Sequence, residues 1–353
     1  MSEAAPHPEG HPGQRMAAEI AQQPAVFADL LADRAAIARV ASRIRERKPR
    51  FALLAARGSS DHAALYAKYL VEVLLEIPAG LASPSTTTLY GAHPDLTDVL
   101  LLTVSQSGSS PDLLEVTEAG RRGGATTVAV TNTTSSPLND AAELSVDIRA
   151  GQEQAIAATK SYSATLLTLY LLVDALRGGD GSAAAELPEL AESTLEDNHE
   201  AVAEAVQRYR FVNRMVTTGR GYSSASAAEA ALKLAETSYL PTRAFSGADL
   251  LHGPVAAVDS ETAVLALCST GKGGDAMRDV INTVHQRGAD VCAIGSAAQD
   301  ANTSHRIGTP QCAEELAPVL EALPVQRLAL GLAVARGEDP DTPRGLNKIT
   351  RTL

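Results

Sequence analysis

Three landmarks recur along the chain at a nearly constant distance. Arg57 and Arg220 lie 163 positions apart, Gly108 and Gly271 also lie 163 apart, and Gly124 and Gly288 lie 164 apart. An offset held over separate landmarks means one folding unit written twice, each copy large enough to bury a core without disulfides or metals. In the first copy, Phe51–Ala56 is a short apolar run ending in Arg57-Gly58-Ser59-Ser60, followed by a helical pattern to about Leu75. Asp98–Val104 ends in Ser105-Gln106-Ser107-Gly108-Ser109-Ser110 and leads into a helix to about Arg122; Ala125–Val130 ends in Thr131-Asn132. In the second copy, Arg214–Thr218 runs into Gly219–Ser224 and a helix through Tyr239. Ala263–Leu267 then runs into Cys268–Gly271 and a helix to Arg287, and Ala289–Ile294 closes the set. Nearly continuous apolar strands alternating with helices predict parallel sheets covered on both faces.

The chain therefore reads as α/β, with two tandem doubly wound domains over residues 51–177 and 196–335. A Gly/Asp/Ala/Glu-rich linker, 178–195, joins them, and a helix from about Glu196 to Tyr209 opens the second. Residues 15–50 are helical in pattern, with Gln23-Pro24 separating a short helix from a longer one. Residues 1–14 read as a disordered tail without the apolar run of a secretory leader, and 336–353 as a C-terminal tail.

Composition removes several classes of function. The formal charge is -12, and there is no Trp, with only four Phe and eight Tyr. A nucleic-acid partner, which needs a basic face or stacking platforms, is not expected. The longest uncharged apolar stretch, Ser161 to Val173, is too short to span a bilayer and predicts a buried helix, so no membrane partner is expected. Cys268, Cys292 and Cys312 are odd in number and form no C-x-x-C pair, which fits a reducing cytoplasm. His62, His93, His199, His285 and His305 show no ligand spacing, so neither a metal nor an organic cofactor is expected.

Ligands of doubly wound sheets sit at the carboxyl ends of strands. Two such ends in the first copy are rich in hydroxyls. The segment Ser105–Ser110 carries four serines, a glutamine and a glycine just ahead of a helix that Pro111 and Asp112 open well. Gly58-Ser59-Ser60 forms a second such turn. Free N–H groups and helix dipoles favour a dianion at both, although a single serine-rich turn is also an ordinary helix cap. Thr270-Gly271-Lys272-Gly273-Gly274 in the second copy lacks the spacing of a Walker A loop and reads as a degenerate relic outside the site.

These loops, with further motifs in the same order, resemble the sugar isomerase (SIS) family. The nearest likeness is to the isomerase half of glutamine–fructose-6-phosphate amidotransferase and its stand-alone amino-sugar-phosphate relatives. The residues that carry it are Glu19-Ile-Ala-Gln-Gln-Pro24, the two serine loops, Ala150-Gly-Gln-Glu153, Ala157-Ala-Thr-Lys160, Glu229 through Tyr239, His252-Gly-Pro254 and Asp341 through Lys348. The resemblance implies two flavodoxin-like SIS domains and a homodimer with shared active sites. By resemblance, Ser59, Ser60, Ser105, Gln106, Ser107 and Ser110 hold the phosphate of a small sugar phosphate. Glu236 moves the proton between C1 and C2, with Lys233 beside it. His252 assists ring opening from the partner subunit, and Lys348 lies over the open-chain sugar from a mobile tail. The family loop S-Q-S-G-E-T reads here with Ser109 and Ser110 in its last two places, which leaves phosphate binding intact. The amidotransferase also needs an N-terminal cysteine; Ser2 stands at the start of this chain, so ammonia from glutamine is not expected.

The residue chemistry agrees. Lys233 and Glu236 are three apart on one helix face, a base with a cation beside it. His252 supplies an imidazole, and Lys348 offers an ammonium or a Schiff-base amine. Arg57, Glu153 and Lys160 read as braces of the pocket, and Asp249 as structural. Proton abstraction next to a carbonyl or imine follows. A free 2-amino sugar phosphate would isomerise and lose ammonia, the leading expectation. An N-acetylated one would lose water by beta-elimination, and a lysine-derived amino sugar would be cleaved by a deglycase. A non-catalytic sugar-phosphate sensor is the alternative of a different class; its usual DNA-binding arm is not present, and the Glu/His/Lys set is.

Overall fold

The computed structural model describes residues 11–346 and 348. The expected disordered tail up to residue 10, and the expected C-terminal tail at Asn347 and over 349–353, lie outside the described residues. The first sheet contains β1 Phe51–Ala55, β2 Ala79–Leu81, β3 Val99–Ser105, β4 Thr126–Thr131 and β5 Leu144–Asp147, in the order β2-β1-β3-β4-β5. The second contains β6 Met215–Gly219, β7 Thr242–Ser246, β8 Ala263–Leu267, β9 Asp290–Ile294 and β10 His305–Ile307, in the order β10-β9-β8-β6-β7. All paired strands are parallel. Read within each copy, the two orders are the same flavodoxin-like 2-1-3-4-5.

The duplication extends to backbone angles. Gly58 and Gly221, at equivalent positions, have φ of 58° and 61°; Gly124 and Gly288, each two residues before a strand, have φ of 90° and 86°. All four lie in the left-handed region that favours glycine. The β3–β4 register pairs Leu101 with Thr127 and Leu102 with Val128, and the central strands are buried along nearly their whole length.

The N-terminal region forms three helices where two were expected: Gln14–Ala21, Gln23–Ala32 and Arg34–Arg47. Pro24 sits in the first turn of the second, where its missing N–H costs nothing. Asp33 marks the further break. The stretch read as a linker contains a 3-10 turn, Ser182–Ala184, and most of the helix Leu187–Asp197, and the next helix is His199–Tyr209. Ser161 to Val173 lies within the helix Lys160–Leu176, buried almost throughout as expected. Glu314–Ala335 is long and apolar enough to cross a membrane by length and composition, but 78% of its apolar window is buried inside the fold, so it is a core helix.

The two copies meet through helices. Ser59–Leu70, which follows β1, packs against Ser223–Ser238, which follows β6. Tyr66 and Tyr222 meet edge to face across this seam with ring centroids 6.3 Å apart. The carboxyl end of the first sheet thereby faces the helix that carries Lys233 and Glu236.

Candidate active site

Two serine loops, one helix of the second copy and the C-terminal tail enclose a cavity of about 330 Å³. Ser59, Ser60, Ser105, Gln106, Ser107 and Ser110 all line it, as do Arg57, Glu153, Glu236 and Lys348. A somewhat larger groove, about 390 Å³, lies elsewhere between Ala17, Val202 and Leu330, but its lining is mostly apolar.

The loop after β3 is held by its own serines. Gly108 N–H donates to Ser105 Oγ at 3.2 Å, and Ser109 N–H to Ser107 Oγ at 3.3 Å, which folds the loop back over the strand end. Gly108 has φ of 61°, and a Cβ there would lie 2.0 Å from Ser136 Oγ, so only glycine fits. The helix Pro111–Arg122 begins at Ser110, whose hydroxyl makes no capping bond, and the helix Ser59–Leu70 begins at Gly58, which has none to make. Two positive helix ends thus point into one cavity with no cap from Ser110 or Gly58, although Asp112 Oδ1 takes the Leu113 N–H in the first turn of the helix Pro111–Arg122.

The second copy shows the contrast. Glu314 accepts hydrogen bonds from the N–H groups of Lys272 and Gly273 at 2.9 and 2.7 Å. Its carboxylate fills the place an anion would take, and a Cβ on Gly271 would collide with it at 2.3 Å. The relic loop is therefore capped by the chain itself. Glu314→Ala is expected to destabilise the fold by about 1 kcal/mol, the usual value of an N-terminal cap, read as a lower urea midpoint.

Glu236 rises from the facing helix, its side chain 24% exposed. Lys233 is fully buried below it, with Nζ 2.5 Å from Glu236 Oε2 and 3.4 Å from Glu229 Oε1. Burial alone would lower the Lys233 pKa, but the two carboxylates outweigh it and hold the group above its ordinary value, an ammonium. Glu229 is buried too. It accepts a hydrogen bond from Ser59 Oγ at 2.9 Å and lies 2.8 Å from His62 Nδ1. Burial pushes its carboxyl up, and Lys233, His62 and Ser59 together bring it below the ordinary value. The Ser59 hydroxyl expected on the phosphate is thus turned to Glu229, tying the loop after β1 to the helix that carries Glu236.

Across the cavity, Lys348 donates to Glu153 Oε2 at 2.8 Å and to the Ala155 carbonyl at 2.6 Å. Glu153 also accepts from the N–H groups of Thr159 and Ser161, both at 3.0 Å, and from Ser161 Oγ at 2.6 Å. Burial would raise its carboxyl; the Lys348 ammonium and the Ser161 bonds hold it below the ordinary value. Glu19 fixes this loop from behind by accepting from the N–H groups of Gln154 and Ala155. Lys160 braces it through Gln22 Oε1 at 2.8 Å. Asp249 accepts from the Ser246 hydroxyl at 2.6 Å in the cap of a short helix, a structural contact. His252 ends that helix on the exposed surface and does not line the cavity of its own chain.

Glu229, His62 and Glu19 stand beside the cavity residues without having been singled out as site residues, although Glu19 and Glu229 open two of the motifs quoted above. Glu229 carried one signal. It precedes Lys233 by four and Glu236 by seven, a charged stripe on an Ala- and Leu-rich helix.

The chain matches known proteins over most of its length. The SIS domain model matches residues 47–175 and again 209–336. The glutamine–fructose-6-phosphate aminotransferase (isomerizing) of Gloeobacter violaceus is 32% identical over 354 residues, covering 94% of this chain and 58% of that protein. The chain thus spans little more than half the length of that relative. A solved structure from Silicibacter pomeroyi, provisionally assigned as a phosphosugar isomerase, is 32% identical with a TM-score of 0.85, covering 93% of this chain and 99% of that one. The glucosamine-6-phosphate deaminase of Thermotoga maritima shares the fold, with a TM-score of 0.76 at 22% identity, covering 96% and 100%. Matched by the SIS domain model over both sheets, the chain belongs to the SIS-domain family, with two such domains in tandem.

Proposed function

We propose that this chain is a hexosamine 6-phosphate isomerase and deaminase, converting glucosamine 6-phosphate and water into fructose 6-phosphate and ammonia. The observation that carries the reading is Glu236, poised over Lys233 on the wall that faces the serine cradle. The two helix ends and Ser60, Ser105, Gln106, Ser107 and Ser110 grip the phosphate. With C6 held there, the sugar extends toward Glu236 in open-chain form. Glu236 takes the C2 proton, the electron pair forms a C1–C2 double bond, and the C1–O π pair moves onto O1, which takes a proton from water; the Lys233 ammonium supports the developing charge electrostatically. Return of the proton at C1 leaves an imine at C2. Water adds, the C–N bond breaks, and ammonia leaves.

Lys348, held by Glu153 and Ala155, closes the cavity over the chain of the sugar. His252, exposed and outside its own cavity, is assigned to ring opening in the cavity of a second copy, which makes a homodimer part of the proposal. The test is a proton NMR time course with glucosamine 6-phosphate and, separately, N-acetylglucosamine 6-phosphate. Ammonia and a ketose phosphate from the first are expected. An unsaturated N-acetyl product from the second, with no reaction of the first, would replace deamination by dehydration. Binding of either without turnover would make the chain a sensor.

A further inference from the structure

We propose that Arg57 is a phosphate-binding residue that selects a phosphate dianion over uncharged sugars; this rests on the reading of the cavity as a sugar-phosphate site. The donors on the two serine loops are neutral. Of the charged side chains lining the cavity, Glu153 and Glu236 are acidic, and the Lys348 ammonium is engaged by Glu153 at 2.8 Å. The chain as a whole carries a formal charge of -12. A dianion entering this cavity needs a local cation against that field.

Arg57 is placed to supply it. It stands just past the end of β1 and lines the cavity beside Ser59 and Ser60. Its Nε donates to Asp112 Oδ2 at 2.7 Å. Asp112 sits in the first turn of the helix Pro111–Arg122 with its side chain 1% exposed, and its other oxygen accepts from the Leu113 N–H at 2.9 Å. The arginine is therefore strapped from one serine loop to the other. Its side chain stays 48% exposed, and its two terminal nitrogens have no acceptor among the described residues. A guanidinium fixed through one edge keeps the rest of its fork for a phosphate, and its ordering is already complete before the ligand arrives. Asp61, in the first turn of the helix Ser59–Leu70, is the other acid near Arg57. One salt bridge and a second nearby acid temper the cation without occupying its free nitrogens.

The test uses isothermal titration of inorganic phosphate and of glucitol 6-phosphate, an unreactive open-chain ester, into the full chain. Charge-assisted hydrogen bonds of this kind carry about a 10- to 100-fold effect. Arg57→Gln is expected to weaken both ligands by about that factor, and to raise the KM for glucosamine 6-phosphate while kcat changes little. Arg57→Lys recovers part of the loss. Because Arg57→Gln strands the buried Asp112, the double variant Arg57→Gln/Asp112→Asn, neutral and hydrogen-bonded, is measured beside it and shows the same loss. Unchanged affinity in both variants would overturn the assignment. A wild-type chain that binds neither ligand would overturn it together with the sugar-phosphate reading. Arg57-dependent binding of both ligands without turnover of glucosamine 6-phosphate would uphold Arg57 and remove only the deaminase reading.

Discussion

Glu236→Gln is expected to lower turnover of a hexosamine 6-phosphate by about 10²- to 10⁴-fold, the usual contribution of a positioned general base. Affinity for a sugar phosphate should stay within a few-fold. The two effects separate because they belong to different halves of the chain. In the proposed reaction the phosphate is held by loops at the ends of β1 and β3, and the proton is taken by a side chain on the helix Ser223–Ser238. Glutamine keeps the shape and an oxygen toward Lys233 but cannot accept the C2 proton. Lys233 stays paired with Glu229 in this variant, so the fold does not carry the loss. Steady-state kinetics paired with direct titration of glucitol 6-phosphate checks the prediction. Wild-type kcat, or parallel loss of binding and turnover, contradicts it.

Lys233→Met is expected to destabilise the chain by about 3–5 kcal/mol, the cost of breaking a buried ion pair from one side. The ammonium lies between two carboxylates, at 2.5 Å from Glu236 and 3.4 Å from Glu229, with no exposure of its own. Without it, Glu229 keeps its burial and loses the largest of the influences that hold its carboxyl below 4.5. A carboxyl held low stabilises the fold fully above its unfolded pKa, and that stability is lost as pH falls through the folded pKa. In the variant the Glu229 carboxyl moves the other way, so the deficit is largest near neutral pH and shrinks as acid protonates it. Urea unfolding at about pH 7 and about pH 5 reads both the size and the slope. The double variant Glu229→Gln/Lys233→Met should recover part of the deficit, since it leaves no uncompensated charge beside His62. A pH-independent deficit would assign the effect to packing instead.

The central strands and the serine loops were legible in the sequence for one physical reason. β1, β3, β4, β6, β8 and β9 are covered on both faces and therefore read as apolar runs, with glycine and serine punctuating their carboxyl ends. The edge strands were not. β2 is three residues around Gly80, β5 alternates buried and more open positions, β7 reads Thr-Arg-Ala-Phe-Ser with no fully buried residue, and β10 is His-Arg-Ile. Each is short and half-covered, so its pattern does not rise above that of a loop.

The site divides in the same way. Ser60, Ser105 to Ser110, Glu236 and Lys348 stand in motifs that keep their local chemistry wherever the chain goes. His62 with Glu229, and Glu19 with Gln154, are pairs 167 and 135 positions apart. Local pattern marks Glu19 and Glu229 singly but not the pairs, because only the packing of Ser59–Leu70 on Ser223–Ser238, and of the N-terminal helices on the first domain, brings the partners together. The Ser59 hydroxyl belongs to the same class. Its motif marks it as a phosphate donor, and the tertiary fold gives its proton to Glu229.

The proposed reaction requires Glu236 to reach the carbon next to the carbonyl of a sugar gripped by its phosphate. Incubation of the chain with glucosamine 6-phosphate in heavy water, followed by mass and NMR analysis of recovered substrate and product, tests that contact directly. Deuterium carried at C1 of the ketose or at C2 of recovered substrate, present with the wild-type chain and absent with Glu236→Gln, is the predicted result. Exchange that persists in Glu236→Gln, or product that carries the original C2 hydrogen wholly at C1 with no deuterium in product or recovered substrate, would contradict it.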